Sequence, residues 1–420
     1  MTTSSMDTYA ALLKERYLDP SKVEKLIYPE NPLLGMFQKK GDTGMVGSQL
    51  VVPIITKNAQ GVAGVFGTAQ TNATPTGSDK FNIEAGKYYG VVEIDDFTIA
   101  AARTNAGAFL EHKKFEIDSL YETMAENLSI HLWGNGGGAL GRIAAVSGNT
   151  VTLENREQIA NFERDMEVVA SAGDGSASGD ALIDSGDSAG VSTINRTDGT
   201  MVLDAVSEIS GLAAGHYLFR KSDFAGDTTV QILKGVQAFI TATDVPGALW
   251  GLTSAVRDND PQRYAGCRVF ADDLNGEQID QRIKILLARM TGRYKAKAPT
   301  AGFLHPETFL KLETLLTGTG LRSLPDSTTS FGYRKIDIVS PTSSGSIPIY
   351  IDRHCPKDTF FAFRMENWWI SSMRELMHPQ TDSNGGILLR DGSTDHEFRL
   401  ISYPLVVCNA PLHNGRVPLV

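Results

Sequence analysis

The amino-acid sequence predicts an α+β protein with an inserted, small all-β domain. Three observations support that class. A long helical pattern spans 104–133, a block of short strands with few helices follows over 142–234, and two further helices precede a final group of strands. Helices and strands that occupy separate stretches of a chain are typical of α+β organisation.

The bulk composition describes an ordinary folded protein. The chain has 420 residues, of which 41% are hydrophobic and 21% charged, enough for roughly two or three domains. A formal net charge of -10 lacks the basic footprint of a sequence-specific nucleic-acid-binding protein. The three cysteines, Cys267, Cys355 and Cys408, form no CxxC pair, which favours reduced thiols in a cytosol. We expect no signal peptide in Met1–Thr8 and no membrane span, because apolar runs such as Leu50–Ile55 are too short.

Residues 1–47 are predicted to form an N-terminal arm. A short amphipathic helix is expected over 7–18, where Pro20 ends it, and Pro29 and Pro32 then oppose regular structure. The arm has no core of its own but carries four apolar side chains, Leu33, Leu34, Met36 and Phe37. Such side chains need burial, which a neighbouring subunit would supply.

Residues 48–98 are predicted to form a β-excursion. Leu50–Thr56 and Tyr88–Phe97 are rich in strand formers, with Phe81–Ile83 as a candidate short strand. Residues 58–79 are rich in Gly, Thr, Ala and Asn, a composition expected not to fix one conformation alone. Because an isolated two-stranded excursion is marginally stable in water, we expect a partner to stabilise it.

The helix predicted over Thr104–Trp133 organises the chain, within a segment that we place at 99–141. Its apolar residues recur at intervals of three and four and form one narrow stripe, made of Phe109, Ile117, Leu120, Met124, Leu128 and Leu132. Charged residues occupy the other faces, so water or a polar partner is expected there. Gly134 opens the glycine run that ends the helix.

The inserted block covers residues 142–234. Six short strands are predicted between Gly, Asp and Ser turns, with the sequences RIAAV, TVTL, MEVVA, VSTI, TMVLD and HYLFR. Ala172–Gly190 is of low complexity and is predicted to be an exposed loop. This pattern is typical of a small β-sandwich or barrel.

The remaining chain predicts an α+β domain over 235–344 and closing strands over 345–420. Asn275 is expected to cap a helix whose apolar face runs from Ile279 to Tyr294, and Pro306 begins a second helix that ends at Gly318. The closing strands are predicted from the sequences IPIYID, TFFAF, WWISSM and EFRLISYPLVV.

Two glycine motifs match the patterns of known binding or catalytic turns. Gly136, Gly138 and Gly141 match GxGxxG, but a helix precedes them and a strand follows, the reverse of a phosphate-binding turn, so a hinge is favoured. Residues 186–190 match the GxSxG of serine hydrolases, although such matches arise by chance in a Gly- and Ser-rich loop. A serine hydrolase built on Ser188 is the enzyme alternative.

Single residues suggest structural roles. His354 and Cys355 are expected in a turn before Pro356, and Trp368 and Trp369 in a core strand. The acidic group Glu93, Asp95 and Asp96 predicts a solvated or subunit-pairing face. We therefore expect no catalytic, cofactor-binding or metal site, and no enzymatic activity.

The order of arm, excursion, long helix, α+β domain and late strands resembles that of the major capsid proteins of tailed double-stranded DNA bacteriophages, which have the Hong Kong 97-type fold. The resemblance covers nearly the whole chain except 142–234, which the minimal fold lacks. It implies that 1–47 is the arm, 48–98 the E-loop, 99–141 the spine helix of the peripheral domain, 235–344 the axial domain, and 345–420 the closing strands of both domains.

The resemblance implies a structural protein that assembles with itself, as hexamers and pentamers, into an icosahedral shell around phage DNA. Expected partners are scaffolding, portal and decoration proteins and, nonspecifically, packaged DNA, with no membrane. A separate scaffolding protein, or none, is implied because the chain lacks a long charged N-terminal segment. The shell would lie in the virion after assembly in the host bacterial cytoplasm. An encapsulin-like compartment, which has the same fold and holds enzymes, is the alternative.

Inter-subunit contacts are expected from the arm, the E-loop and the acidic face, with these candidates: Leu33, Leu34, Met36, Phe37, Lys39, Lys40, Lys57, Lys80, Lys87, Glu93 and Asp95. Lys39 and Lys40 would meet acidic residues of a neighbour such as Glu93 or Asp95. Some relatives cross-link an E-loop lysine to an asparagine of a neighbour, and Lys57, Lys80 and Lys87 are placed for that, although loop lysines are usually only solvated.

Overall fold

A computed structural model describes residues 31–40, 45–46, 49–94, 106–177, 179–204, 209–226, 230–274, 276–318, 327–328, 334–339, 345–380, 388–389 and 396–420. The predicted helix over 7–18, the predicted cap Asn275, and Asp95 and Asp96 lie outside these residues. The α-helices are α1 (Pro32–Met36), α2 (Phe66–Thr71), α3 (Ala106–Trp133), α4 (Val236–Phe239), α5 (Ser254–Asn259), α6 (Pro261–Ala265), α7 (Ile279–Gly292) and α8 (Pro306–Gly318).

The strands follow in chain order, and short 3-10 turns join some of them. They are β1 (Gln38–Lys40), β2 (Met45–Val46), β3 (Gln49–Lys57), β4 (Gly77–Glu84), β5 (Tyr88–Ile94), β6 (Ala139–Ser147), β7 (Thr150–Leu153), β8 (Glu167–Ser171), β9 (Ala189–Asn195), β10 (Thr200–Leu203), β11 (Tyr217–Arg220), β12 (Cys267–Arg268), β13 (Ala301–Leu304), β14 (Ser327–Thr328), β15 (Arg334–Val339), β16 (Ser346–Ile351), β17 (Thr359–Phe363), β18 (Trp368–Ser372), β19 (His378–Gln380), β20 (Leu388–Leu389), β21 (His396–Ser402), β22 (Pro404–Cys408) and β23 (Gly415–Pro418).

The chain divides into two units. The first comprises residues 1–35, 85–235 and 372–404, and the second comprises 36–84, 236–371 and 405–420. Each unit is assembled from segments that are distant in sequence, so local pattern alone does not define either one.

The first unit is built on α3. The helix begins and ends close to the prediction, but its C-terminal half is buried on more than the predicted stripe. Tyr121, Asn127, Ser129 and His131 are each less than 10% exposed, which contradicts the expected polar outer faces. The physical reason is that elements from far along the chain cover these faces, and a single helical stripe cannot report them.

The strand β5 covers part of α3, and its pairing differs from the prediction that placed this strand in the excursion. It pairs antiparallel with β21 in register from Tyr88 opposite Ser402 to Ile94 opposite His396. The sequence placed this strand in the excursion, whereas the long excursion pair is β3 with β4. Both β5 and the segment before it are rich in strand formers, so composition could not distinguish the two partners.

The inserted block is a closed barrel with strand order β10-β7-β6-β11-β8-β9. All six of its strands were predicted, and the barrel alternative is confirmed. Its interior is filled by alternate apolar side chains, among them Leu140, Val151, Phe162 and Leu218, and Ile130 of α3 packs against them. Closure removes free strand edges, so this block satisfies its own backbone hydrogen bonds.

The glycine run after α3 lets the barrel close against the helix end. Gly138 has a φ of +90°, and a Cβ there would lie 2.0 Å from the carbonyl oxygen of Asp223. A Cβ on Gly137 would lie 1.9 Å from the carbonyl oxygen of Asp174. Only glycine fits such approaches, which supports the hinge interpretation over a phosphate loop.

The second unit is organised around a seven-stranded sheet of order β12-β23-β17-β13-β16-β15-β14. One face packs against α7 and α8, as the helix patterns predicted. This core contains Ile283, Leu287, Met290, Phe309 and Leu312 from the helices and Ile349, Phe360, Ala362 and Val417 from the strands. The N-cap of α7 is Gln278, three residues after the predicted Asn275.

The opposite face of that sheet carries an aromatic layer. Phe303 and Trp368 each lie 5.4 Å from Phe363, measured between ring centroids. Phe37 stacks on Trp368 at 5.6 Å, and Phe239 meets the same indole edge-on at 5.5 Å. Trp368 is therefore a core residue, as expected, and its Nε1 donates a hydrogen bond to Asn414 Oδ1 at 2.8 Å.

The described part of the arm, residues 31–40 and 45–46, is more regular than predicted. Pro32 occupies the first position of α1, where a missing N–H costs no hydrogen bond, so proline there favours the helix. After it, β1 pairs in parallel with β18 from Gln38 opposite Trp369. Within the described residues, no helix combines the length and apolarity that crossing a bilayer requires.

Candidate interaction surface

The excursion strands have one buried and one exposed face. Leu50, Val52 and Ile54 of β3 are less than 10% exposed, whereas Val51 is 39% and Ile55 60% exposed. In β4, Phe81 and Ile83 are fully buried. This alternation is the period of two expected for a strand pair that packs on its own chain by one side. The other side is left available to a second molecule.

The excursion tip, Gln60–Thr74, has a defined backbone but no core. Gln60 and Thr74 exchange two backbone hydrogen bonds of 3.2 and 2.7 Å, and α2 lies between them. The expectation that this segment does not fix one conformation alone stays a prediction. The helix α2 buries none of its residues, and Val62, Val65 and Phe66 are 91%, 66% and 77% exposed.

Exposed apolar side chains are concentrated on the excursion. Of the eleven exposed large hydrophobic residues in the described part of the chain, five lie between residues 49 and 77. Scattered single exposures are normal on a protein surface, but a contiguous group on a projecting pair of strands is typical of an interaction site.

A second exposed group lies on the outer side of β5. Tyr89, Val91 and Glu93 alternate along one face of the strand, and Tyr89 is 63% and Val91 48% exposed. The ring of Tyr89 meets Tyr403 edge-on at 6.1 Å, and this hydrogen-bonded contact raises the pKa of Tyr403. Of these three residues only Glu93 was predicted to be a contact, although strict alternation along the strand places Tyr89 and Val91 on the same face.

The candidate lysines are exposed. Lys57, Lys80 and Lys87 all lie on the solvent side of the excursion or just after it. Lys39 and Lys40 of β1 are also exposed, and Nζ of Lys40 lies 3.8 Å from the centroid of the Trp369 ring. Lys40 thus has a cation–π partner within its own chain.

The apolar arm residues do not lie where they were expected. Leu33 and Leu34 are fully buried, Phe37 is 3% exposed, and Met36 is half-buried. The ring of Phe37 packs against the ring of Trp368 in the aromatic layer. The chain itself therefore covers these side chains, and the expectation that they pack on a neighbour is wrong for Leu33, Leu34 and Phe37 in this conformation.

The GxSxG segment lacks the geometry of a hydrolase nucleophile. Ser188 precedes β9 and does not sit on a strand-to-helix turn. Its Oγ donates to Glu167 Oε2 at 2.9 Å, and Glu167 also pairs with Lys221. Both contacts lower the pKa of the Glu167 carboxyl, with Lys221 the larger cause. Ser188 is therefore part of an exposed polar group on the barrel.

The predicted turn at His354 and Cys355 is confirmed. Burial lowers the pKa of His354 to about 3 and raises the pKa of the Cys355 thiol.

Among the described residues, no group of three or more His, Cys, Asp or Glu side chains is arranged to hold a metal ion. The described surface features thus point to contact with macromolecules through apolar and aromatic side chains.

The fold is similar to that of solved capsid structures. A chain of the cyanophage A-1(L) capsid asymmetric unit matches with a TM-score of 0.50 and 13% sequence identity over 93% of each chain. A capsid chain of an empty GTA particle matches with a TM-score of 0.42 and 9% identity over 92% of this chain and 95% of the other. A chain of Gordonia phage Cozz matches with a TM-score of 0.42 and 10% identity over 93% and 87%.

No protein-family model matches the sequence, and no curated protein does. The likeness to the cyanophage chain is one of fold, and at this identity it concerns architecture alone. It confirms the α+β architecture of the Hong Kong 97-type that the order of elements predicted, and this chain includes a small closed barrel.

Proposed function

We propose that this chain is the major capsid protein of a tailed double-stranded DNA phage and that it assembles with itself into the icosahedral shell. The observation that carries the proposal is the shared fold with a chain of the cyanophage A-1(L) capsid, which extends over 93% of both chains. A fold shared over nearly the whole length supports the same use more strongly than a shared domain would.

The exposed excursion supports assembly physically. Burying a side chain such as Phe66 or Val62 against a neighbour contributes about 1.5–3 kcal/mol. One such contact gives weak association, but each subunit in a closed shell makes several, and closure multiplies their effect. Contacts that are weak between two subunits and stable in a closed ring suit shell assembly, because a wrongly placed subunit can dissociate during growth.

The barrel suits a position at the surface of a shell. Because it is closed, it presents no free strand edge that would pair with other copies in the wrong register. It decorates the shell or braces neighbouring subunits without competing with the excursion strands, whose edges belong to the assembly contacts.

The charge of the chain suits nonspecific enclosure of DNA. With a formal net charge of -10, the protein lacks the cation excess that gives tight phosphate binding, so packaged DNA is held by the closed wall. Capsomers of six and five copies, a portal, and scaffolding or decoration proteins belong to this proposal, as do assembly in the host cytoplasm and residence in the virion.

Negative-stain electron microscopy of the purified full chain tests the proposal. Closed shells, or rings of five and six copies, are expected. A monodisperse monomer at high protein concentration, with and without co-expressed phage scaffold and portal proteins, would contradict it. Nuclease-protected DNA in shells from infected cells is the expected content, whereas a defined protein cargo would favour an encapsulin-like compartment.

A further inference from the structure

Two arginine side chains lie next to each other on the sheet of the second unit. Arg268 of β12 and Arg416 of β23 are register partners on adjacent parallel strands, which are about 4.8 Å apart. Their neighbours Val269, Val417 and Leu419 point into the core under α7 and α8. Because side chains alternate along a strand, both arginines point to the opposite face.

Both guanidinium groups contain buried N–H groups without acceptors. Arg268 is 2% exposed, and its Nη1 donates to Thr241 Oγ1 at 3.0 Å and to the carbonyl of Thr243. Among the described residues, its Nε and Nη2 have no hydrogen-bond partner, and neither has Nη1 of Arg416. The Arg416 guanidinium lies 5.4 Å from the centroid of Phe361, which holds it over the ring.

The charge around this pair is unbalanced. A third guanidinium, that of Arg257, donates from Nη1 and Nη2 to carbonyl oxygens such as that of Ala238 at 2.7 Å, while its Nε has no partner among the described residues, and it repels Arg268. The acidic groups that act on Arg268 are Asp244 and Asp258. The thiol beside Arg416, that of Cys355, is kept neutral because burial raises its pKa. The carboxyl of Asp352 acts on that thiol, and it is not among the groups that act directly on Arg268 or Arg416.

We propose that Arg268 and Arg416 form a binding site for a small inorganic oxyanion of the phosphate or sulfate class. The planar guanidinium fork matches the spacing of such oxygens, and two adjacent forks supply several charge-assisted hydrogen bonds to one ion. An oxyanion between them satisfies the unpaired N–H groups, whose burial without an acceptor is unfavourable. It also relieves the repulsion of two neighbouring cations.

The depth of the site selects a small ion. The segment from Thr241 to Thr243 closes over Arg268 through the two hydrogen bonds that Nη1 donates. A macromolecular phosphate would have to displace that segment, which a free ion is small enough to avoid. Binding links to folding, so the bound ion stabilises the edge of the sheet that β12 and β23 form.

Thermal unfolding of the full chain in phosphate-free buffer tests this site. Sodium phosphate is expected to raise the Tm saturably, and sodium chloride at matched ionic strength is not. Calorimetric titration with phosphate is expected to give one site per chain. In Arg416→Gln, the affinity for phosphate should fall by about tenfold or more, because each charge-assisted hydrogen bond contributes more than one factor of ten in binding.

Two further variants make the test decisive. Arg196→Gln removes an exposed arginine that pairs with Glu163 on the barrel, and it should keep the wild-type response to phosphate. Arg416→Lys keeps the charge but loses the fork, so weaker phosphate binding is expected from a chain that retains the charge. The proposal is overturned if phosphate and chloride act alike on the wild type, or if Arg416→Gln and Arg196→Gln respond equally.

Discussion

The hydroxyl of Tyr88 lies 2.9 Å from Nδ1 of His131, in the interior of the first unit. The same oxygen accepts a hydrogen bond from the backbone N–H of Leu233 at 3.0 Å. His131 is neutral near pH 7 because it is buried. Burial, aided by Arg220, lowers the pKa of His131 to about 3 and burial raises that of Tyr88. Three distant segments, α3, β5 and the exit from the barrel, meet at this contact.

Acid is predicted to destabilise the chain through His131. Its folded pKa of about 3 lies below the unfolded value near 6.5, so the unfolded chain binds more protons between those values. The free energy of unfolding is therefore largest above pH 6.5 and falls as the pH is lowered toward 3, by at most about 1.4 kcal/mol per pH unit. His354, whose pKa burial also lowers to about 3, adds a loss of the same sign.

Urea unfolding at several pH values measures this dependence. The variant His131→Gln should be less stable at neutral pH and should lose less stability on acidification, since an imidazole whose pKa burial lowers to about 3 is gone. An identical pH slope in the variant and the wild type would show that His131 does not titrate on unfolding.

Tyr88→Phe is predicted to cost about 1–3 kcal/mol of unfolding free energy. The ring still packs, but the N–H of Leu233 loses its acceptor and Nδ1 of His131 loses its hydrogen-bond partner inside the first unit. Tyr89→Phe is the matched control, because Tyr89 is 63% exposed and a surface change of this kind stays within about 0.5 kcal/mol. Equal unfolding free energies for the two variants would argue against the buried contact.

Phe66→Ser is predicted to impair assembly without affecting the fold. Phe66 is 77% exposed, so the thermal midpoint of the unassembled chain should not change, whereas shells or capsomers should be lost or should form only at higher concentration. Leu310→Ser on α8 alters a residue that is 61% exposed and should assemble normally. Sedimentation velocity of both variants makes the comparison, and normal shells from Phe66→Ser would rule out a role for the tip.

Gly138→Ala is predicted to lower the free energy of unfolding of the first unit by about 1–3 kcal/mol or more. The added Cβ would lie 2.0 Å from the carbonyl oxygen of Asp223, at a φ of +90° that alanine rarely adopts. Gly179→Ala, where no atom lies within 4 Å of the new Cβ, should have little effect. Differential scanning calorimetry compares the two, and similar transitions would mean that the barrel connection adjusts easily.

Ser188 is predicted to be unreactive. Its Oγ donates to Glu167, an acid that is already paired with Lys221, and a carboxylate in that state does not activate a nucleophile. A fluorophosphonate probe should leave the chain unlabelled. The free energy of unfolding of Ser188→Ala should lie within about 0.5 kcal/mol of the wild-type value. Labelling of the wild type that Ser188→Ala abolishes would restore the hydrolase alternative.

Local pattern was enough to predict much of the architecture. The periods of α3, α7 and α8, and the six strands of the barrel, arise from side chains that are close in sequence, and each was predicted near its observed bounds. The order of these elements was also enough to indicate the fold that the cyanophage chain shares.

The tertiary structure decided which surfaces remain exposed and which distant residues meet. Pairing of β5 with β21, burial of His131 all round, enclosure of Leu33 and Leu34, and the alignment of Arg268 with Arg416 each depend on segments far apart in the chain. A sequence pattern reports which side of an element is apolar. Which partner covers that side depends on the energy of the whole packed chain. Only the tertiary structure therefore shows that partner.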